Sequence, residues 1–244
     1  MDLQLNGLTA LVTGGTAGIG AAIVRTLAQE GCHVAFCSRS QANVDAMTDS
    51  LASMQVRING RALDVSDHYA FEAWLAELGA LDIFIPNVSA ISPAWEPSIA
   101  LDIVATVKTT QAALPYLKKS HRAAITYISS LMCGYATPGA IGYTAAKAAM
   151  THYMKSLSSS LASDRIRVNT VSPGITFAEG GFWDRVKTNA PSMFEAQLKN
   201  HPMQRFATAE EVARVVAFIS SPAASYVSGA NWFVDGGETQ HVQT

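Results

Sequence analysis

Leu11-Val12-Thr13-Gly14-Gly15-Thr16-Ala17-Gly18-Ile19-Gly20 decides the fold of this 244-residue chain. Before it, Thr9–Thr13 is a short apolar and β-branched run of the kind that forms a buried strand. After it, residues from Gly18 to about Glu30 carry the apolar spacing of a helix. Gly14 permits a tight turn between the two, Gly18 lets backbone approach a pyrophosphate, and Gly20 allows close helix–strand packing. The free amides and the dipole at the start of the helix favour phosphate oxygens, which makes Thr16 and Ile19 candidate contacts as well. Glycines alone are a weak signal, and a purely structural turn is the competing reading. Their placement between a first strand and an amphipathic helix is what carries weight.

The next strand, His33–Cys37, runs into Ser38-Arg39. A site for NAD(H) usually places an acid here for the ribose 2′-hydroxyl, whereas a 2′-phosphate needs a cation. Ser38 stands in the acid's place and Arg39 follows with a guanidinium fork suited to phosphate, so NADP(H) is preferred and NAD(H) left open. The plainer alternative makes Arg39 a solvated loop residue. In Leu63-Asp64-Val65, Asp64 ends a third strand, where its carboxylate could accept from an adenine amino group; a cap on a helix starting at Ser66 is the alternative.

Strand-length and helix-length segments alternate along the rest of the chain. Arg57–Leu63, Ile83–Ile85, Ala123–Ile128, Arg167–Val171 and Asn231–Val234 bring the expected strands to seven. Helices are expected at Gln41–Met54, Ser66–Leu78, Ser98–Lys118, Gly142–Leu161 and Thr208–Ser220, the last signalled by a threonine cap ahead of Glu210 and Glu211. This pattern predicts an α/β fold of Rossmann type, a doubly wound parallel sheet with helices on both faces, in one domain over 1–244. One segment, Ile175 to about Arg205, breaks the rhythm. Its Gly180-Gly181, Pro191 and Pro202 surround Phe182, Trp183, Met193 and Phe194, and it reads as a substrate lid at about 175–205.

Composition narrows the function classes. Hydrophobic residues make up 49% and charged residues 15%, with a net charge of −2, so a nucleic-acid surface is not expected. Cys32, Cys37 and Cys133 lack metal-ligand spacing and read as reduced thiols. Residues 1–7 show neither a basic n-region nor an apolar h-region, and no run reaches membrane-spanning length, so a cytoplasmic, non-membrane protein is the expectation.

A second constellation lies at Ser130, Tyr143 and Lys147. Residues four apart share a helical face, so Lys147 can bring its ammonium to Tyr143. A free phenol is a poor base at neutral pH, and a fixed cation moves it toward the working range. Ser130 follows the strand Ala123–Ile128 and could reach the same spot. The Tyr/Lys spacing is common by chance, and its value depends on its surroundings.

Taken together, these motifs resemble the short-chain dehydrogenase/reductase family over nearly the whole chain. Thr13–Gly20 is similar to the family's cofactor turn and Leu63-Asp64-Val65 to its adenine-contacting segment. Ser130, thirteen residues before Tyr143, matches the catalytic serine, and Tyr143 with Lys147 matches the Tyr-x-x-x-Lys pair. Ser172-Pro173-Gly174 matches the turn that meets the nicotinamide, with Thr176 close behind it, and Asp235-Gly236-Gly237 matches the signature ending the last strand.

The resemblance implies hydride transfer between a nicotinamide cofactor and a small-molecule carbonyl or alcohol. Tyr143 would serve as acid/base, Ser130 would polarise the carbonyl oxygen, and Lys147 would support the phenolate and bind ribose hydroxyls. It also implies a homotetramer or homodimer paired through Ser98–Lys118 and Gly142–Leu161. Met132, Tyr135, Trp95, Phe182 and Trp183 are candidates for an apolar substrate wall.

Two departures stand out. Asn87 is retained in Pro86-Asn87-Val88-Ser89, but Ser89 replaces a glycine. Asp102 occupies the place of an asparagine tied to a proton relay; near Lys147 it would stabilise the ammonium and weaken its effect on Tyr143, and otherwise it is an ordinary surface acid. These departures keep a second class open, a non-redox protein of the same fold acting as a cofactor-binding regulator or a lyase.

Overall fold

The computed structural model describes residues 1–240. The chain runs β1 (Thr9–Thr13), α1 (Gly18–Gln29), β2 (His33–Ser38), α2 (Gln41–Ser50), β3 (Ile58–Ala62), α3 (His68–Leu78) and β4 (Ile83–Ile85). A single helical turn, α4 (Trp95–Pro97), leads into a π-helical stretch over Ser98–Ala105 and then α5 (Thr106–Leu117). After these come β5 (Ala124–Ile128), α6 (Ile141–Ser160), β6 (Arg167–Pro173), β7 (Thr176–Phe177), α7 (Phe182–Asn189), α8 (Pro191–Asn200), β8 (Ala207–Thr208), α9 (Ala209–Ser220) and β9 (Asn231–Val234).

Seven strands form one parallel sheet in the order β3-β2-β1-β4-β5-β6-β9. The chain builds outward from β1 to β3, then returns to add β4 on the other side of β1. That reversal opens a crevice at the carboxyl ends of β1 and β4, where ligands bind in open α/β sheets. Both sheet faces are covered. Ile23, Val24 and Leu27 of α1 and Val212, Val216 and Ile219 of α9 share one core with Val12, Val34 and Phe36. Phe71, Trp74 and Leu75 of α3, Leu117 of α5 and Met150 and Met154 of α6 share the other with Leu11, Phe84, Ile125 and Val168. Strands buried on both faces read as continuous apolar runs, which is why their positions were legible in the sequence.

Several boundaries differ from the sequence expectation, each for a local reason. The helix expected over Ser98–Lys118 is π-helical in its first part, and the Thr106 hydroxyl donates to the Leu101 carbonyl five residues back. Helix α3 starts at His68 instead of Ser66, because Asp67 caps it by accepting from the Ala70 amide at 3.0 Å. Strand β6 continues to Pro173 because β9 pairs with it as far as Pro173↔Val234. Pro173 still has its carbonyl to offer the ladder.

The cap at α9 is a full capping box, with Glu211 N–H donating to Thr208 Oγ1 at 3.2 Å and Thr208 N–H donating to Glu211 Oε2 at 2.9 Å. At the other end of α9, Arg167 donates to the carbonyls of Ile219, Ser220 and Ser221 at 2.8, 2.9 and 3.0 Å. One guanidinium thus satisfies carbonyls that the helix leaves without partners. Burial lowers the Arg167 pKa to about 10, which leaves it charged at neutral pH.

The segment between β6 and α9 holds more order than the sequence suggested. Strands β7 and β8 pair in parallel at its two roots, and α7 and α8 lie between them. Phe194 and Phe206 are buried and stack edge-on at 5.0 Å, while Trp183 packs against Phe206 at 5.2 Å. Phe194 and Trp183 therefore form this segment's own core, and Phe182, Met193 and Met203 are exposed large apolar groups on it.

Candidate active site

The glycine turn sits at the carboxyl end of β1. Gly14 has φ +69°, a conformation that a side chain disfavours. A Cβ on Gly20 would fall 2.1 Å from the Gly14 carbonyl oxygen and 2.5 Å from Asn87 Nδ2, so the helix reaches the turn at a distance only glycine allows. Gly18 also has positive φ, +52°, and Thr16 and Ile19 are half-buried beside it. Asn87 locks the turn from β4: Nδ2 donates to the carbonyls of Thr13 and Gly14 at 3.0 and 3.2 Å, and its amide donates to Thr13 Oγ1 at 3.0 Å. The role of Thr13 was missed in the sequence, because a threonine at a strand end carries no special signal.

Ala17, the residue before helix α1, offers no capping side chain, and the first turn of the helix carries no acid. By contrast, Ser40, Asp67 and Thr208 cap α2, α3 and α9 with side-chain oxygens. An uncapped helix start facing a glycine turn suits an anionic group such as a pyrophosphate. The Gly15 amide donates to the Cys37 carbonyl at 3.1 Å, which sets the end of β2 beside the turn. Half-buried Ser38 and exposed Arg39 come next. Asp64 is exposed and its Oδ1 accepts from the Ser66 amide at 2.9 Å, a turn contact and not a helix cap, while Val65 is buried. The glycine turn and the uncapped start of α1 fit the pyrophosphate of a dinucleotide.

The second cluster forms where β5 meets α6. Ser129 Oγ and Thr151 Oγ1 are 2.8 Å apart, and Thr151 Oγ1 donates to the Lys147 carbonyl at 2.8 Å. This clamp holds Ser130 against the helix that carries Tyr143 and Lys147. The Ser130 side chain is near enough to Tyr143 to lower the pKa of its phenol, and Ser130 Oγ accepts from the Met132 amide at 3.2 Å. Lys147 is 2% exposed; its Nζ donates to the Ile128 carbonyl at 3.0 Å and lies 5.0 and 5.7 Å from the ring centres of Tyr127 and Tyr143.

Asp102 is not a surface acid. It is fully buried in the π-helical stretch, with Oδ1 at 3.6 Å from Lys147 Nζ and Oδ2 accepting from the Ala90 amide at 3.1 Å. Burial pushes the Tyr143 phenol up, with Ser130 lowering it and Asp102 raising it further. Burial pushes the Lys147 ammonium down, and Asp102 opposes that shift. The net direction for Tyr143 is upward, against the downward pull expected from Lys147 alone. Tyr127 was also missed: its ring supports Lys147, and its hydroxyl is buried without a hydrogen-bond partner among the described residues.

The 86–89 segment keeps its Asn87 contacts, and Ser89 Oγ accepts from the Ile91 amide at 3.2 Å in a local turn. At the other side of the crevice, Thr176 Oγ1 donates to the Gly174 carbonyl at 3.1 Å, and the Gly174 amide donates to Val234 at 3.0 Å. Glu238, just beyond Asp235-Gly236-Gly237, accepts from the Ile175 amide at 3.3 Å and lies 3.7 Å from His201 Nε2. It therefore touches both roots of the 175–205 segment. Of the expected apolar wall, Trp95, Tyr135 and Phe182 are exposed and Met132 is half-buried. A separate cleft of about 300 Å³ is lined by Cys133, Thr151, His152 and Asn231 but by none of Ser130, Tyr143 and Lys147.

Comparison with known proteins agrees with this geometry. The sequence family described as enoyl-(acyl carrier protein) reductase matches residues 14–239. Isoepoxydon dehydrogenase of Penicillium expansum is 37% identical over 247 residues, covering 96% of this chain and 95% of the relative. L-sorbose reductase of Gluconobacter frateurii, solved with NADPH and L-sorbose, superposes with a TM-score of 0.87 at 26% identity, covering 98% of this chain and all (100%) of the other. A 7α-hydroxysteroid dehydrogenase solved with NADH gives 0.90 at 25% identity, covering 99% and 98% of the two chains. The chain therefore belongs to the short-chain dehydrogenase/reductase family and is an oxidoreductase.

Proposed function

We propose that this protein transfers hydride between NADP(H) and a small, largely apolar carbonyl/alcohol pair, with Tyr143 as the acid/base. The observation that carries the reading is the buried Lys147 ammonium 5.7 Å from the Tyr143 ring centre on the same helix, with Ser130 beside the phenol. The glycine turn would hold the pyrophosphate over the start of α1, Arg39 would meet a 2′-phosphate, and Pro173, Gly174 and Thr176 would border the nicotinamide end. When bound, the nicotinamide supplies or accepts the hydride. In the reductive direction Tyr143 donates its phenolic proton to the carbonyl oxygen, and Ser130 donates a hydrogen bond to that oxygen and orients it. Lys147 then steadies the phenolate that forms. The 175–205 segment would act as the lid, with its two roots tied through Glu238.

The isoepoxydon dehydrogenase and L-sorbose reductase relatives support a small oxygenated substrate, and exposed Trp95, Tyr135 and Phe182 support an apolar wall for it. A panel of ketones, aldehydes and alcohols, followed by cofactor absorbance with NADPH and NADH, tests the activity. Within it, Tyr143→Phe removes only the proton that must move. Turnover should fall by at least about 1,000-fold while NADPH binding holds within about threefold. A variant retaining more than about a tenth of the parent rate would remove Tyr143 from the acid/base role.

A further inference from the structure

We propose that Asp102 is a positioning residue that neutralises the Lys147 ammonium, keeps Tyr143 as a protonated phenol at neutral pH, and so sets the pH range over which each direction of the reaction runs. The inference rests on Tyr143 being the acid/base.

The groups facing Tyr143 and Lys147 come from several elements. The π-helical stretch contributes Asp102, β5 contributes Tyr127, the turn after β5 contributes Ser130 and Cys133, and α6 contributes the pair itself. Among these, Asp102 alone is a carboxylate, and it has no solvent exposure. Its two oxygens do different jobs. Oδ2 is anchored by the Ala90 amide, while Oδ1 has no hydrogen-bond partner among the described residues and stands 3.6 Å from Lys147 Nζ.

Charge balance sets the direction. With Asp102 ionised and Lys147 protonated, the buried cluster is neutral when Tyr143 carries its proton. Losing that proton leaves one uncompensated negative charge in a site that solvent scarcely reaches, which disfavours the phenolate. Without the carboxylate, the same ionisation would leave the cluster neutral. The ammonium would still have the Ile128 carbonyl and two aromatic faces to stabilise it. A protonated phenol is the form that gives a proton to a carbonyl oxygen, while a phenolate is the form that takes one from an alcohol.

Asp102→Asn tests this by removing the charge and keeping an oxygen for the Ala90 amide. The pH dependence of kcat/KM is recorded in both directions on a carbonyl/alcohol pair that the enzyme turns over. The alkaline limb of reduction and the acid limb of oxidation should each move down by about one pH unit. Limbs that stay within about 0.3 units, or that move up because Lys147 has lost its proton, would overturn the proposal.

A second readout needs no turnover. The difference between the ultraviolet pH titrations of the parent and Tyr143→Phe gives the ionisation of Tyr143 directly. It should lie above the ordinary tyrosine range in the parent, and ionisation near neutral pH would refute the inference even if Asp102→Asn fails to fold. If Tyr143→Phe stays active, the acid/base reading itself falls. If Tyr143→Phe is dead and the limbs of Asp102→Asn do not move, only the role of Asp102 falls.

Discussion

Gly20→Ala isolates the contact on which the cofactor turn depends. The added Cβ would sit 2.1 Å from the Gly14 carbonyl oxygen and 2.5 Å from Asn87 Nδ2. Carbon–oxygen contacts of this type settle at about 3.3 Å or more, so the turn and the start of α1 must separate by about 1.2 Å. Such a displacement breaks the two Asn87 Nδ2 hydrogen bonds, now 3.0 and 3.2 Å, to the Thr13 and Gly14 carbonyls.

At about 1 kcal/mol for each bond and about 1–3 kcal/mol for overpacking, the variant should lose roughly 3–5 kcal/mol of stability. The moved amides should also weaken NADPH binding by about 100-fold, because an ångström of misplacement has that scale of effect. Urea unfolding followed by tryptophan fluorescence reads the first quantity, and fluorescence titration with NADPH reads the second. Gly139→Ala is the control, since no atom lies within 4 Å of its added Cβ and its φ is not positive. It should stay within about 0.5 kcal/mol of the parent. A Gly20→Ala protein with unchanged urea midpoint and an NADPH affinity within about threefold would refute the assignment of this turn.

Two further outcomes are expected. Arg39→Asp should raise the KM for NADPH by at least about 30-fold while affecting NADH far less, because a guanidinium–phosphate contact is replaced by like-charge repulsion. An unchanged NADPH/NADH ratio would make Arg39 a solvated loop residue. Arg167→Met should lower stability by about 3 kcal/mol in denaturant unfolding, since it leaves the carbonyls of Ile219, Ser220 and Ser221 buried without that donor. A loss under about 0.5 kcal/mol would mean that other donors replace it.

Local chemistry made much of the site readable before any coordinates. Strands β1, β2, β4 and β5 are short, largely apolar runs between turn signals, buried along nearly their whole length. Tyr143 and Lys147 are four apart on one helix, so their proximity follows from helical geometry. Asp102 was different. Its distance from Lys147 depends on how the π-helical stretch packs against α6, and the sequence left it open between a surface acid and a site residue. The 175–205 segment was recognised as a break in the pattern, but its aromatic core was not, because Phe194, Phe206 and Trp183 meet only when β7 and β8 pair. Glu238 gave no signal, since a single glutamate after a strand is ordinary until it faces Ile175 and His201.

By itself, the sequence determined the alternation of strand and helix, the glycine turn after β1, and the serine, tyrosine and lysine of the candidate site. Each of these is encoded by neighbours within a few residues, where backbone sterics and periodicity act. Tertiary structure alone decided the electrostatic state of that site. Whether Lys147 is an uncompensated cation or half of a buried pair depends on a carboxylate 45 residues away in sequence and 3.6 Å away in space. Coulomb interaction and desolvation depend on distance and burial, and both are properties of the folded chain.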